Sequence, residues 1–185
     1  YCYLFTNDTL SAEKTILKGY GLYPDSALVI IDIVNLYIST HKYEQVLKYL
    51  DPAIAKMPAN AQLIYTKGQM YDQMNNWEEA EKAYMEAIKI KTDYYDAYFN
   101  LGVLYYNMAT DYNNQAAATD LKQAEKYNSL MAKRDEYYKK SIPMFSKAHE
   151  LNPKSKDPLE NLKKVYNRLK MKKEQEEINA KLESM

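Results

Sequence analysis

The chain has 185 residues and balances 25 Lys plus Arg against 25 Asp plus Glu, so nothing in it asks for a nucleic-acid partner, which usually demands a basic excess. Only 4 Gly and 6 Pro interrupt it, too few for a turn-rich all-β fold, and the single cysteine, Cys2, excludes an internal disulfide framework and a cysteine-rich metal site. Tyrosine is abundant, 20 residues beside 3 Phe and 1 Trp, and its apolar ring with a polar tip suits half-buried helix faces.

Residues 1–26 read as the tail of a repeat whose start lies upstream of Tyr1. Asp8 or Thr9 is a candidate helix cap. Leu10, Ile16 and Leu17 supply a core stripe, and Tyr23-Pro24-Asp25 ends the helix because proline cannot continue it. The longest apolar run, Ala27 to Val34, is broken by Asp32, far short of a bilayer span, so direct membrane insertion is not expected.

The next two segments are copies of one unit. A step of 34 carries Ile30, Val34, Tyr37, Tyr43, Val46, Leu50 and Ala53 onto Ile64, Gly68, Tyr71, Trp77, Ala80, Tyr84 and Ala87, and carries Pro24 onto Pro58. Within residues 61–94, Ile64, Gly68 and Tyr71 sit at helical spacing, Asn75-Asn76 breaks the pattern, and Ala80, Tyr84 and Ala87 resume it. The spacing predicts two short antiparallel helices per unit, with a small residue where they cross. A lone helical hairpin cannot bury both faces, so such units stack.

A further step of 34 gives Tyr98, Leu101, Gly102 and Tyr105, but the second helix is late. Ser141, Phe145 and Ala148, followed by Pro153, occupy its place, which implies an insertion of 27 residues, at about 112–138. Leu121, Ala124, Tyr127 or Asn128, Met131 and Tyr138 recur at helical spacing in it, opposite Leu104, Tyr105, Met108 and Tyr112. The expectation is a long helical hairpin with its turn in Asn113-Asn114-Gln115-Ala116 and a capping box at Asp120 and Gln123. Pro143 should kink the returning helix. Leu159, Leu162 and Tyr166 then form a final first helix, and Ile178 and Leu182 its partner, whose polar run Lys172 to Glu177 suits a cap.

At these residues the chain resembles the tetratricopeptide repeat family, whose unit of 34 residues carries W-x2-L-G-x2-Y, A-x3-F and a late Pro. The resemblance covers nearly the whole chain. It implies an all-α, right-handed superhelical solenoid of antiparallel helical hairpins, a single domain over 1–185: a partial repeat at 1–26, repeats at 27–60, 61–94 and 95–155, and a C-terminal repeat with capping helix at 156–185. Val34 and Lys163 depart from it where a small residue would sit. The unit from Asn100 to Asn107 is also similar to C-terminal repeat arrays of larger bacterial envelope proteins, which implies upstream repeats of the same full-length protein and a periplasmic or envelope location.

The family resemblance implies a non-enzymatic protein- or peptide-binding scaffold, in which the first helices line a concave groove. Carried over unit by unit, that groove is lined by Ile31, Asn35 and Ile38; by Tyr65, Gln69, Asp72 and Gln73; by Phe99, Asn100, Val103, Tyr106 and Asn107; and by Glu160, Lys164, Asn167 and Arg168. Amides there can hydrogen-bond a peptide backbone, and the rings offer apolar contact. The family's carboxylate-clamping variant is disfavoured, because Ile31, Thr66 and Asp96 stand where Lys or Asn is needed. The alternative is an assembly module that stacks on upstream repeats or oligomerises through the inserted hairpin or the caps.

No catalytic constellation accompanies this pattern. His41 in a turn and His149 on a second helix have no HExxH-type partner and read as ordinary surface residues, and Gly19 and Gly21 lack the strand and GK[ST] of a phosphate loop. No catalytic residue, metal ligand or cofactor is therefore expected. The basic stretch Lys154 to Lys173 is a secondary candidate for meeting an acidic partner or an anionic surface.

Overall fold

A computed structural model describes residues 9–24, 26–120 and 122–185, and every regular element among them is an α-helix. Cys2, Asp8, Asp25 and Leu121 lie outside the described residues. The helices fall into two compact units, residues 1–90 and 91–185.

In the first unit, α1 (Thr9–Leu22), α2 (Ala27–Ser39), α3 (Tyr43–Lys56), α4 (Ala61–Gln73) and α5 (Trp77–Ile90) each pack on the next. First helices begin at Ala27 and Ala61, and second helices at Tyr43 and Trp77, so both kinds recur 34 positions on. The start of α4 is set by Asn60, whose Oδ1 accepts from the backbone N–H of Gln62 at 3.1 Å and Leu63 at 3.3 Å.

The turn inside each short hairpin has one geometry. His41 and Asn75 adopt φ of 56° and 57°, and the next residue's N–H returns to a tyrosine carbonyl, Lys42 to Tyr37 at 2.8 Å and Asn76 to Tyr71 at 2.9 Å. Lys170 repeats it in the second unit with φ 59°, and Met171 N–H bonds the Tyr166 carbonyl at 2.9 Å. A left-handed residue followed by this return bond is the Schellman ending of a helix, and asparagine tolerates it better than most side chains.

The expected stripe on α1 needs correction. Ile16 packs on the core and Ala12 is buried, but Leu10 is 81% exposed and Leu17 lies at the edge of exposure. The face of α1 that meets α2 runs through Ala12, Ile16 and Tyr20, spaced four apart. Glu13 ties the same face down, accepting from Tyr37 Oη at 2.9 Å and Lys42 Nζ at 3.0 Å. These bonds hold its carboxyl below the usual range, and burial raises the Tyr37 hydroxyl.

The second unit consists of α6 (Tyr95–Ala117), α7 (Ala124–Leu151), α8 (Asp157–Arg168) and α9 (Lys172–Glu183). The inserted residues lengthen α6 and α7 to 23 and 28 residues, about 35 and 42 Å at the α-helical rise. The turn is not at 113–116, where it was expected. Ala116 is buried and the half-buried Asn113 Oδ1 accepts from Arg134 Nη1 at 3.4 Å, so packing carries the helix past both asparagines. Asp120 does not cap α7. Its Oδ1 accepts from the Lys122 N–H at 2.8 Å inside the turn, and α7 starts only at Ala124. Tyr112 stacks on Tyr137 at 5.5 Å and 14°, with Lys133 over one ring and Lys140 over the other. On this arm Tyr138 is buried and Tyr127 is 42% exposed. The helix α7 runs through Pro143, which is exposed.

The repeated second-helix positions form the core. Val46, Leu50 and Ala53, then Ala80, Tyr84 and Ala87, then Ser141, Phe145 and Ala148 are each at most 2% exposed. Ser141 satisfies its hydroxyl within its own helix, donating to the Tyr138 carbonyl at 2.7 Å. At the crossing, a Cβ on Gly68 would stand 2.7 Å from the Tyr84 ring, and one on Gly102 2.8 Å from the Phe145 ring. Val34 departs from the pattern without harm, since its counterpart is Leu50, a smaller side chain than Tyr84 or Phe145. In the last hairpin Lys163 is exposed, and Leu162 and Ile178 are the buried residues at that spacing.

Gly102→Ala should therefore lower stability by about 1–3 kcal/mol through overpacking, outweighing the ~1 kcal/mol that alanine gains over glycine in a helix. Gly21→Ala, with nothing within 4 Å of the added carbon, should be neutral or stabilising. Urea unfolding of both variants checks the contrast. Equal effects would show that the glycine at the crossing has no steric role.

Candidate partner-binding faces

In the first unit, α2 presents Ile31 and Asn35 to solvent and keeps Ile38 half-buried against the core. On α4 only Gln73 of the expected lining is exposed. Tyr65 is 8% exposed, with its ring 5.7 Å from Tyr84, so most of it serves the core. Gln69 is tied to it, donating Nε2–H to Tyr65 Oη at 3.1 Å. Asp72 is half-buried; desolvation raises its carboxyl above the usual range, and a hydrogen bond from Tyr84 opposes that rise.

In the second unit, α6 carries a longer stripe. Phe99, Val103 and Tyr106, at i, i+4 and i+7, are half-buried, and Asn107 beside them is exposed. Asn100 is half-buried on the same side. The rings are held from behind. Phe99 stacks on Tyr95 at 6.0 Å and meets Phe145 edge-on at 5.8 Å, while Tyr106 lies 5.4 Å from Tyr138. Tyr95 is anchored in turn by its hydroxyl, which donates to Ser155 Oγ at 3.1 Å. Burial, with the Asp96 charge, pushes the neighbouring Tyr94 hydroxyl up to about 12. This is a preorganised, partly apolar strip edged with amides.

On α8, Glu160, Lys164, Asn167 and Arg168 are all exposed. The first three open on a cleft of about 360 Å³ whose other walls are Lys163, Gln175 and Leu182. Sequence reasoning took only the first-helix side of this cleft. The signal for the remainder was the one-face spacing of Glu160, Lys163, Lys164 and Asn167 opposite Gln175 and Leu182.

The reading of His149 as an ordinary surface residue is corrected. It is half-buried at a cavity of about 220 Å³ among Ser146, Leu159, Tyr166, Glu174 and Glu177, and its Nδ1 is buried without a hydrogen-bond partner. Burial first, and then the Glu174 and Glu177 charges, raise the Tyr166 hydroxyl. His41 sits in the turn as expected, its Nδ1 2.7 Å from Tyr43 Oη. Among the described residues there is no cluster of three or more His, Cys, Asp or Glu placed to hold a metal ion, and no helix long and apolar enough to cross a membrane.

Residues 68–108 match the family model described as TPR repeat. No curated protein matches the chain. Among solved structures, a crystal structure of MamA matches at TM-score 0.71 and 16% identity, covering 97% of this chain and 89% of the other. The first TPR of Spaghetti (RPAP3) bound to the HSP90 peptide SRMEEVD matches at TM-score 0.58 and 17% identity over 77% and 92% of the two chains. The human IFIT1 dimer with m7Gppp-AAAA matches at TM-score 0.69 and 16% identity, over 94% of this chain and 36% of that one. At such identities the likeness is one of fold, an all-α solenoid of helical hairpins. The fold is thus that of tetratricopeptide-repeat structures, and the repeat motif itself is matched over residues 68–108.

Asp72 gives a test of this geometry with a defined sign. Its folded pKa lies above the unfolded value near 3.8, so its ionisation opposes folding; the penalty grows as pH rises past the unfolded value and is complete once pH has passed the folded one. Asp72→Asn keeps an acceptor for Tyr84 and removes the buried charge. It should be more stable than wild type at neutral pH, with the gain vanishing below the unfolded carboxylate range. Thermal melts across pH 3 to 7 check this; a loss at neutral pH would mean the charge itself is needed.

Proposed function

We propose that the chain is a non-enzymatic scaffold that binds a protein or peptide along the outward faces of its first helices. The observation that carries the reading is the strip Phe99–Val103–Tyr106 on α6, half-exposed to solvent, held rigid by Tyr95, Phe145 and Tyr138, and edged by Asn100 and Asn107. Preorganised aromatics offer contact area at little entropic cost, and amides beside them can pair with a peptide backbone. Such a surface serves recognition. It holds no placed acid, base or nucleophile in a cavity of the kind catalysis needs.

The same reading assigns Asn35, Ile38, Gln69, Asp72 and Gln73 to the first unit's share of the surface, with Tyr65 acting from behind through Gln69. A second role is favoured by one observation. Leu10 at 81%, Leu28 at 75% and Ile31 at 48% exposure leave the α1–α2 end of the first unit strongly apolar. Stacking of a further helical repeat on this end would bury them, so an assembly role accompanies the binding role in this proposal.

Affinity capture with the wild-type chain and with Val103→Arg/Asn107→Arg tests the principal reading. Circular dichroism establishes that the variant stays helical. A partner held by wild type and lost at least ~10-fold by the variant supports the α6 strip as the working face. A partner retained equally by both moves recognition elsewhere. Leu10→Lys/Leu28→Lys reads the second role; a partner lost only by that variant would place stacking ahead of strip binding.

A further inference from the structure

We infer that the α8–α9 hairpin is a docking site for an acidic peptide segment, which lays an apolar side chain over Leu182 and sets carboxylates against Lys163 and Lys164. The inference rests on the scaffold reading and names the partner class for its last hairpin. The site is the cleft of about 360 Å³ between the two helices. Glu160, Lys163, Lys164 and Asn167 fall at i, i+3, i+4 and i+7 along α8 and make one wall. Gln175 and Leu182, two turns apart on α9, make the other. The cleft thus runs about 10 Å along the hairpin, long enough for three residues of extended chain.

Its lining sets two lysines against Glu160, and the basic stretch beside it is unspent, although Glu174, Glu176 and Glu177 follow on α9. From Lys154 to Lys173 there are eight Lys or Arg against Asp157 and Glu160 alone. Elsewhere in the molecule lysines find carboxylates, as Lys67 does Asp51 at 2.7 Å and Lys147 does Glu150 at 2.9 Å. Among the described residues Lys163, Lys164, Arg168, Lys172 and Lys173 have no such ion pair, although Glu160 stands on the same face as the first two. The turn between the helices, where Arg168, Lys172 and Lys173 gather, adds further positive charge at one end of the cleft.

Helix stability does not account for this placement. Lys172 and Lys173 occupy the first turn of α9, next to the positive end of its dipole, where cations are disfavoured and acids belong. Lys170 adds a cation in a left-handed turn position, φ 59°, that a glycine or asparagine would fill more readily. Glu174 offsets part of this in the same turn, yet Lys170, Lys172 and Lys173 together still raise the positive potential at one place, which fits complementarity to an acidic partner. The cleft has no aromatic ring on which a base could stack, and Glu160 in its wall opposes a continuous phosphate backbone. A cleft between two helices with Leu182 in one wall suits an inserted side chain better than a plane of lipid headgroups.

The test uses the 185-residue chain and fluorescence anisotropy with a labelled peptide of Glu-Glu-Leu-Glu repeated three times, beside its Gln-for-Glu counterpart. The expected result is binding of the Glu peptide at least ~10-fold tighter than the Gln peptide, weakening as salt rises from about 50 to about 500 mM. Lys163→Glu/Lys164→Glu should abolish that preference, and Leu182→Ala should weaken both peptides alike. If the reversal variant is unfolded by circular dichroism, Lys163→Gln/Lys164→Gln replaces it with the same expectation. Equal affinity for both peptides, or an unchanged preference in the folded charge variant, overturns the inference. So does tighter binding of phosphatidylserine vesicles or of single-stranded oligothymidine through the same two lysines. Loss of partner capture by Val103→Arg/Asn107→Arg and loss of the Glu-over-Gln preference by Lys163→Glu/Lys164→Glu are separate readouts, so failure of the α6 strip and failure of this cleft are separately visible.

Discussion

The structure depends on one steric constraint, the fit of a side chain on each second helix against the first helix it crosses. Tyr84 lies where Gly68 has no side chain, and Phe145 lies where Gly102 has none. Because both rings are almost fully buried, neither can swing away at low cost, and the crossing distance is fixed by the glycine. The first hairpin reaches the same end by sharing volume differently, Val34 with Leu50. What repeats along the chain is thus the combined volume of a pair, and the identity of either residue can vary. Everything outward of the crossing inherits this rigidity. Phe99 is set by Phe145 and Tyr106 by Tyr138, so the strip proposed for binding in the second unit is oriented by the same residues that close its hairpin.

The fold was legible because this constraint recurs at fixed spacing. Ala80, Tyr84 and Ala87 could be matched to Val46, Leu50 and Ala53 and to Ser141, Phe145 and Ala148, and all nine are buried. What escaped the pattern were features decided by long-range packing. Asn113 and Asn114 looked like a turn because asparagine favours turns locally. Arg134 and the buried Ala116 hold them in a helix instead, so the turn moves beyond Ala117. Leu10 looked like core because leucine usually is. Ala12 and Ile16 take the contacts with α2, and the leucine faces solvent. In the last hairpin the stripe Leu159, Leu162 and Ile178 was legible and is buried, and only the small-residue position fell one place past it, on the exposed Lys163.

The proposed binding surface was less legible than the fold. Family register says which side of a helix faces outward, but exposure also depends on how large the neighbours are. Tyr65 falls on the outward side by register and is nonetheless absorbed by Tyr84, while Asn35, Gln73 and Asn107 remain open. His149 shows the converse. It carries no motif, and only the approach of α8 and α9 buries its Nδ1 and surrounds it with Glu174 and Glu177. The α8–α9 cleft likewise needed both helices in place, since one wall comes from each. Its charge was visible in the sequence, while its concavity was not.

The central claim is that paired volume at the crossing defines each hairpin, and a double-mutant cycle tests it most directly. Gly68→Val and Tyr84→Leu together give the second hairpin the pair that the first one carries, Val34 with Leu50. Each single change should destabilise, one by overpacking and the other by leaving a cavity. The measurement is urea unfolding of the two single variants and the double. If the account is right, the double variant is more stable than the sum of the single effects by at least ~1 kcal/mol, because the smaller partner makes room for the valine. Additivity within ~0.5 kcal/mol would contradict it, showing that the two positions act independently and that the hairpins are held together elsewhere.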